Sequence, residues 1–381
     1  MKILVASDSF KGTLSSREIG RIVQQELSPF HQVDYLPVSD GGEGLLEAWQ
    51  GVSPGHMIKC QSQDPLGREI TVEYMLTDDR TAVIESAVTV GLGLLAEKER
   101  NPLNTTSYGL GLLVMDALRQ GAEKIYIGLG GSGVNDGGVG MLMAMGVRIK
   151  DQNGNEITER GGKVLGRIAA IDTSALEPWI QAASFYGVCD VDNPLLGPQG
   201  ATRVYGPQKG ADPEMVDTLE EGMAILAAVV GKVTGNDETG APGAGAAGGL
   251  GFCLKSFFHA TLLNGMDALI ALTGLESRVS EYDLIITGEG KLDEQTGSGK
   301  VPMGMLRLGE KNQIPVVCLC GLNESKGKLA FKKVFSIVPH HASLVESMAN
   351  PDFYLRKLIR QEVVPQMPDL FNNNRNGEIE G

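Results

Sequence analysis

The stretch Asp283–Pro302, "DLIITGEGKLDEQTGSGKVP", is a short apolar run that breaks into a loop of glycines, lysines and acids. The segment "MGMLRLGEKNQ" then carries a helical pattern, and "IPVVCLCG" is a second apolar run. Strand, glycine-rich turn, helix and strand in that order make a βα unit of a parallel sheet. The same rhythm opens the chain. "KILVASD" leads into "SSREIGRIVQQEL", where Ser15 and Glu18 stand at capping-box spacing before apolar residues of helical period, and "HQVDYLPVSDGGEG" leads into "LLEAW".

The texture between these ends is different. "GHMIKCQSQDPLGREITVEYMLTDDRTAVIESA" alternates and is broken by turn residues, as antiparallel strands are. Beyond it lie a helix ending at Gly121, a strand with a glycine-rich exit ("KIYIGLGGSGVNDGG"), a further strand with a long Gly/Pro loop ("ASFYGVCDVDNPLLGPQGA") and a strong helix with Pro213 in its first turn. The pattern predicts an α/β protein of two domains. One is a Rossmann/flavodoxin-like parallel-sheet domain split between residues 1–62 and 278–372; the other is a mixed α/β domain inserted at 63–277, and 373–381 is a frayed tail. The tract "TGNDETGAPGAGAAGGLGF" reads either as a free linker or as an ordered loop whose backbone must approach another group closely.

The 381 residues suffice for one large or two medium domains with a sizeable core. Glycine, at 51 residues, is roughly twice its average share of about 7% and gathers at the ends of apolar runs, which calls for tight loops rather than a repeat. A net charge of −14 argues against nucleic acid or an anionic membrane as partner, since both need a basic face. Five cysteines (Cys60, Cys189, Cys253, Cys318, Cys320) show neither zinc spacing nor a disulfide framework. No segment has the length of a membrane span, and the first apolar run is too short for a signal peptide; a cytoplasmic location is expected.

In an open α/β sheet, ligands bind beyond the carboxyl ends of the strands. There this sequence repeatedly places acids beside glycines: Asp8 before Lys11, Asp40 before Glu43, Asn135 with Asp136, Asp190 with Asp192, and Glu289, Lys291 and Asp293. Any one of them suits a turn or a cap. Together they favour a polar site for a divalent cation and a polyhydroxyl or phosphate ligand, because Mg²⁺ in phosphoryl-transfer sites uses one or two carboxylates plus phosphate oxygens.

Two nucleotide-binding patterns bear on the glycine-rich loops. The P-loop pattern fails at Gly299-Lys300, where Glu294 and Val301 occupy the required glycine and hydroxyl positions, and again at Gly290-Lys291, with Ile285 and Leu292. Gly128-x-Gly130-x-x-Gly133, followed by Asp151, matches the dinucleotide fingerprint. However, Asp136 puts a carboxylate where a pyrophosphate would lie, which disfavours NAD.

The segments "DSFKGTLS" (8–15), "VSDGGEG" (38–44), "DPLGR" (64–68), "GLGGSGVNDGGVGM" (128–141), "CDVDNPLLGPQGA" (189–201), "YGPQKGA" (205–211) and "TGEGKLDEQTGSGKVP" (287–302) stand in the order found in the bacterial type I glycerate kinases, and the chain resembles that family nearly end to end. The resemblance implies two α/β domains with the site between them. It further implies a kinase using ATP and Mg²⁺ that phosphorylates D-glycerate at the 2-hydroxyl to give 2-phosphoglycerate; the 3-phosphoglycerate-forming kinase stays open.

Phosphoryl transfer rests on positioning and charge neutralisation. Asp190, closing a buried strand, is therefore expected to act as general base, with Asp8 next in line. Asp192 and Asp293 are candidates for metal, Asp293 alternatively for a helix cap. Lys11 and Lys291 are expected to neutralise phosphate or carboxylate. Arg68, with Asp40 and Glu43, is expected to bind the substrate. Gly130, Gly131, Ser132 and Gly133, together with Gly288, Gly290 and Lys300, are expected to hold phosphates. An NAD-dependent hydroxyacid oxidoreductase and a non-catalytic sugar-acid sensor are the rival readings, and a homo-oligomer stays open.

Overall fold

The computed structural model describes residues 1–10, 12–36, 38, 45–50, 53–174, 183–293, 301–325 and 329–371; the expected tail at 373–381 lies outside them. The chain divides into two compact units, one formed by Met1–Asp40 with Gly265–Gly381 and the other by Gly41–Asn264. In chain order, β1 (Lys2–Val5) and β2 (Gln32–Tyr35) belong to the first unit. The inserted unit holds β3 (Gly55–Gln63), β4 (Glu69–Thr77), β5 (Thr81–Glu85), β6 (Lys124–Gly128), β7 (Arg148–Lys150), β8 (Ala170–Asp172), β9 (Ser184–Val188) and β10 (Thr261–Leu263). The chain then returns to the first unit with β11 (Leu284–Leu292), β12 (Val316–Asn323) and β13 (Lys333–Val338).

Both boundaries fall earlier than the expected 62/63 and 277/278. Strand β3 pairs with β4 along its whole length, from Gly55↔Thr77 to Gln63↔Glu69, so it belongs to the insertion. The helices Gly265–Thr273 and Leu275–Arg278 belong to the first unit, where Asp267 pairs with Arg307 and Glu276 with Lys311 of the helix Val301–Asn312.

In the first unit the strand order is β13-β12-β11-β1-β2 and every neighbouring pair is parallel. Renumbered within the unit this is 2-1-3-4-5, the flavodoxin-like order, in which the direction of winding reverses between β1 and β11. Ile3, Leu4 and Val5 of β1 and Leu284, Ile285 and Ile286 of β11 are buried, as the continuous apolar runs of a sheet covered on both faces require. Helix Ser16–Leu27 starts with the expected capping box: Ser15 Oγ accepts from the Glu18 amide at 3.2 Å, and Glu18 Oε2 accepts from the Ser15 amide at 2.8 Å. Its buried face, Ile19, Ile22, Val23 and Leu27, joins the core of this unit.

The inserted unit is built on a mixed sheet of order β10-β9-β6-β5-β4-β3. Strands β5, β6, β9 and β10 run parallel, whereas β4 and β3 are antiparallel additions. A separate two-stranded hairpin joins β7 and β8. The glycine-rich tract after Thr239 is ordered and largely buried. Gly248 O accepts from the Gly137 amide at 3.0 Å, and the Gly245 amide donates to Asn193 O at 2.9 Å. A Cβ on Gly248, whose φ is +67°, would stand 2.1 Å from Val134 O. Close backbone approach to another segment, the second of the two readings from sequence, is therefore what the tract provides.

Candidate active site

In the first unit the candidate residues gather where the winding reverses. The chain leaving β1 stays paired with β11, since the Ala6 amide donates to Ile286 O and the Asp8 amide to Gly288 O, both at 2.9 Å. Asp8 is half-buried, and its Oδ1 accepts from the Ser9 amide at 2.6 Å. The expected phosphate loop at Gly288–Lys291 is corrected: these residues extend β11, with Gly288↔Leu319, Glu289↔Cys320 and Lys291↔Leu322 in register. Glycine is needed at 288 because a Cβ there would lie 2.3 Å from Leu319 O and 2.8 Å from Ser7 Oγ.

Strand alternation then places Glu289 and Lys291 on one face, with Glu289 only 5% exposed. Lys291 is half-exposed and already ion-paired. Its Nζ lies 2.9 Å from Glu324 Oε2 and 3.5 Å from Asp293 Oδ2, and the hydrogen bond to Glu324 is the main cause that raises its pKa.

In the inserted unit, β9 ends at Val188, and Asp190 and Asp192 follow it, both exposed. The Cys189 amide donates to Leu263 O at 2.9 Å, and burial pushes the Cys189 thiol up to about 11. Asn193 fixes the onward loop by accepting from the Tyr205 hydroxyl and donating to Gln199 O, each at 2.7 Å.

The loop after β6 is tied down as well. Gly131 O accepts from the Leu92 amide at 2.8 Å, and the Gly133 amide donates to Val90 O at 2.7 Å. Gly133 is thereby removed from the expected phosphate-binding set, because its donor is engaged. Ser132 Oγ instead meets a residue not singled out from sequence: Lys209 Nζ donates to it at 3.2 Å and to Val134 O at 2.8 Å. Lys209 is 2% exposed, and burial pushes its pKa down to about 7 against the opposing charge of Asp136.

Asp136 is wholly buried. Burial raises its pKa while donors from Ser107, Gly140 and Gly138 pull the other way. It accepts from the Ser107 amide at 2.7 Å and hydroxyl at 2.9 Å, and from the Gly138 and Gly140 amides at 3.2 Å. The amides a pyrophosphate would use are thus capped by a carboxylate. Asp151 is the second obstacle to a dinucleotide. It closes a turn, Oδ1 accepting from Asn153 and Asn155 at 2.8 and 2.9 Å, next to the β7–β8 hairpin and outside the main sheet.

Arg68 also departs from expectation. It closes the β3–β4 turn: its guanidinium pairs with Asp64, meets Glu99 Oε1 at 2.9 Å and donates to Leu94 O at 3.2 Å. Asp64 Oδ1 in turn accepts from the Leu66 and Arg68 amides at 2.9 Å. With its fork engaged by two carboxylates and a carbonyl, Arg68 clasps the β3–β4 hairpin in this structure. Lys11, Asp40, Glu43 and Lys300 lie outside the described residues.

Sequence inspection also passed over Ser86, at the carboxyl end of β5. Its Oγ is buried without a hydrogen-bond partner among the described residues, and its amide donates to Gly128 O at 3.0 Å. Neither it nor Lys209 had an acid-beside-glycine signature to draw attention. Among the described residues no group of three or more His, Cys, Asp or Glu side chains assembles as a metal cage, and no helix is long and apolar enough to cross a membrane.

Each unit carries polar groups at the carboxyl ends of its parallel strands, the position at which α/β enzymes bind their ligands. The model of the glycerate kinase family matches residues 3–364. The chain is 40% identical over 368 residues to "Glycerate kinase" of Bacillus subtilis (strain 168), covering 94% of this chain and 96% of that one. To "Glycerate 2-kinase" of Escherichia coli (strain K12) it is 39% identical over 355 residues, covering 91% and 93%. A crystal structure assigned as glycerate kinase 2 from Salmonella typhimurium LT2 superposes with a TM-score of 0.83 at 37% identity, covering 96% of this chain and 99% of that one. The chain belongs to the glycerate kinase family, and the resemblance read from its motifs holds along nearly its full length.

Proposed function

We propose that the protein transfers the γ-phosphoryl group of ATP to the 2-hydroxyl of D-glycerate, giving 2-phosphoglycerate and ADP. The observation that carries the choice of hydroxyl is the 39% identity, across 91% of this chain, to the relative named glycerate 2-kinase. The new bond joins the substrate hydroxyl oxygen to phosphorus, the bond from phosphorus to the β–γ bridging oxygen breaks, and the hydroxyl proton moves to Asp190. Exposure of Asp190 just past a buried, ladder-fixed strand suits a base that must reach a substrate without itself being desolvated.

Asp8, fixed by its backbone bond to Gly288, is the corresponding acid of the first unit. Lys291, between Glu324 and Asp293, is the candidate cation for phosphate. Lys11 and Lys300 are assigned to the same task, and Asp40 and Glu43 to the substrate, on sequence grounds. Gly130, Gly131 and Ser132 are the proposed phosphate-side contacts of the inserted unit.

Asp192, exposed, and Asp293, partly exposed, are the candidate carboxylates for Mg²⁺, which typically takes one or two protein carboxylates and completes its shell with water and phosphate. When bound, the ion would neutralise phosphate charge.

The test is glycerate-dependent ADP release with and without Mg²⁺, with phosphorus NMR of the product. Turnover that gives the 2-phospho ester is expected. A 3-phospho ester would overturn the choice of hydroxyl, and no turnover by folded protein would overturn the glycerate assignment.

A further inference from the structure

Lys209 has no part in the proposed transfer, yet it is 2% exposed and among the described residues both of its side-chain hydrogen bonds go to one short segment, at Ser132 Oγ and Val134 O. Burying an ammonium is unfavourable, and apolar replacements of buried charges are often neutral or stabilising. Stability is therefore a poor reason for a lysine at this position, and its two contacts point instead to the loop after β6.

The backbone of Lys209 is also fixed. Its amide donates to Gly206 O at 3.0 Å, and Gly210, at φ +93°, passes so close to Arg100 that a Cβ would lie 2.2 Å from the Arg100 carbonyl oxygen. At or below about pH 7, where Lys209 is an ammonium with three donors and no acceptor, Ser132 Oγ must accept from it. The serine's own proton is then directed away from Lys209. Asp136, which accepts from five donors on Thr106, Ser107, Gly138 and Gly140, adds a negative charge that favours the ammonium over the neutral amine.

Resting on the kinase reading above, we propose that Lys209 is a positioning residue that aims the Ser132 hydroxyl as a donor at an anionic oxygen of the substrates. That oxygen belongs either to the hydroxyacid carboxylate or to a nucleotide phosphate. The two sources share one chemistry, and kinetics separate them.

The experiment is a double-mutant cycle of Lys209→Met and Ser132→Ala, read as KM for glycerate, KM for ATP and kcat. Each single variant should raise one KM about tenfold or more, the size of one lost hydrogen bond to a charged group, and the double variant should be no worse than the poorer single. A raised KM for glycerate identifies the carboxylate; a raised KM for ATP identifies the phosphate. Both KM values within about twofold of wild type, or effects that multiply in the double variant, would overturn the proposal.

If Lys209→Met does not fold, the same cycle with Lys209→Arg decides, because a displaced guanidinium should alter KM only while Ser132 is present. Wild-type turnover is the control that separates the two ideas. Without it the kinase reading falls, and the inference is then read from thermal stabilisation by glycerate or ATP. Stabilisation of the wild type that both variants lose would keep it, and its absence, or equal stabilisation of all three proteins, would end it.

Discussion

The amide of Asp8 donates to the carbonyl of Gly288 at 2.9 Å. This bond carries the parallel pairing of β1 and β11 beyond Val5, to the place where the order β2-β1-β11-β12-β13 changes direction. An acid proposed for the site is thus fixed in position through its backbone, and its carboxylate accepts from Ser9. The fit depends on glycine at 288, where a side chain would strike Leu319 O.

Gly288→Ala should therefore destabilise the protein by about 1–3 kcal/mol, the usual cost of forcing an extra carbon into a packed place. It should also lower kcat/KM by displacing Asp8. Denaturant unfolding and steady-state kinetics check this, and an unchanged midpoint would mean that β12 yields without strain.

Asp190→Asn should lower kcat about 10²–10⁴-fold, as loss of a positioned base does, and leave Tm near that of wild type because the side chain is exposed. Retention of kcat within a small factor would remove Asp190 from the role of base.

Arg68→Met should leave KM for glycerate within about twofold of wild type, since the guanidinium serves the β3–β4 turn through Asp64, Glu99 and Leu94. A selective rise in that KM, with no change in kcat, would assign Arg68 to the substrate.

The pKa of Lys209 predicts a stability that depends on pH. Burial lowers the folded value to about 7 from 10.5. Below about 7 both folded and unfolded chains hold the proton, and the full burden of a buried charge is felt. Between about 7 and 10.5 the folded chain has released a proton that the unfolded chain keeps, so this group's contribution to stability rises with pH. The Tm of wild type minus that of Lys209→Met should therefore grow between about pH 6 and about pH 9. A flat difference would mean that Lys209 titrates as an exposed lysine.

Much of this was legible in the chain itself. The apolar runs of β1, β11 and β12, the Ser15–Glu18 box and the helix begun by Pro213 follow from local rules, because caps and periodicity act within a few residues. The carboxylate at Asp136 was enough to question the dinucleotide motif, and the structure supplies the reason in the amides of Gly138 and Gly140. The ordered motifs also carried the family, since each records a loop chemistry in order along the chain.

What the tertiary structure decided are the partners, which neighbours in sequence do not specify. Arg68 looked like a clamp until Glu99 and Leu94 closed on it. Gly288 and Gly290 looked like a loop until β12 paired alongside them. Lys209 was not singled out in the sequence at all; folding brings it against Ser132, 77 positions away in sequence. Whether a charge is solvated, paired or buried depends on that packing. The sequence determined which groups were on offer and where the strands would end, and only the fold decided which groups were already engaged and which remained for chemistry.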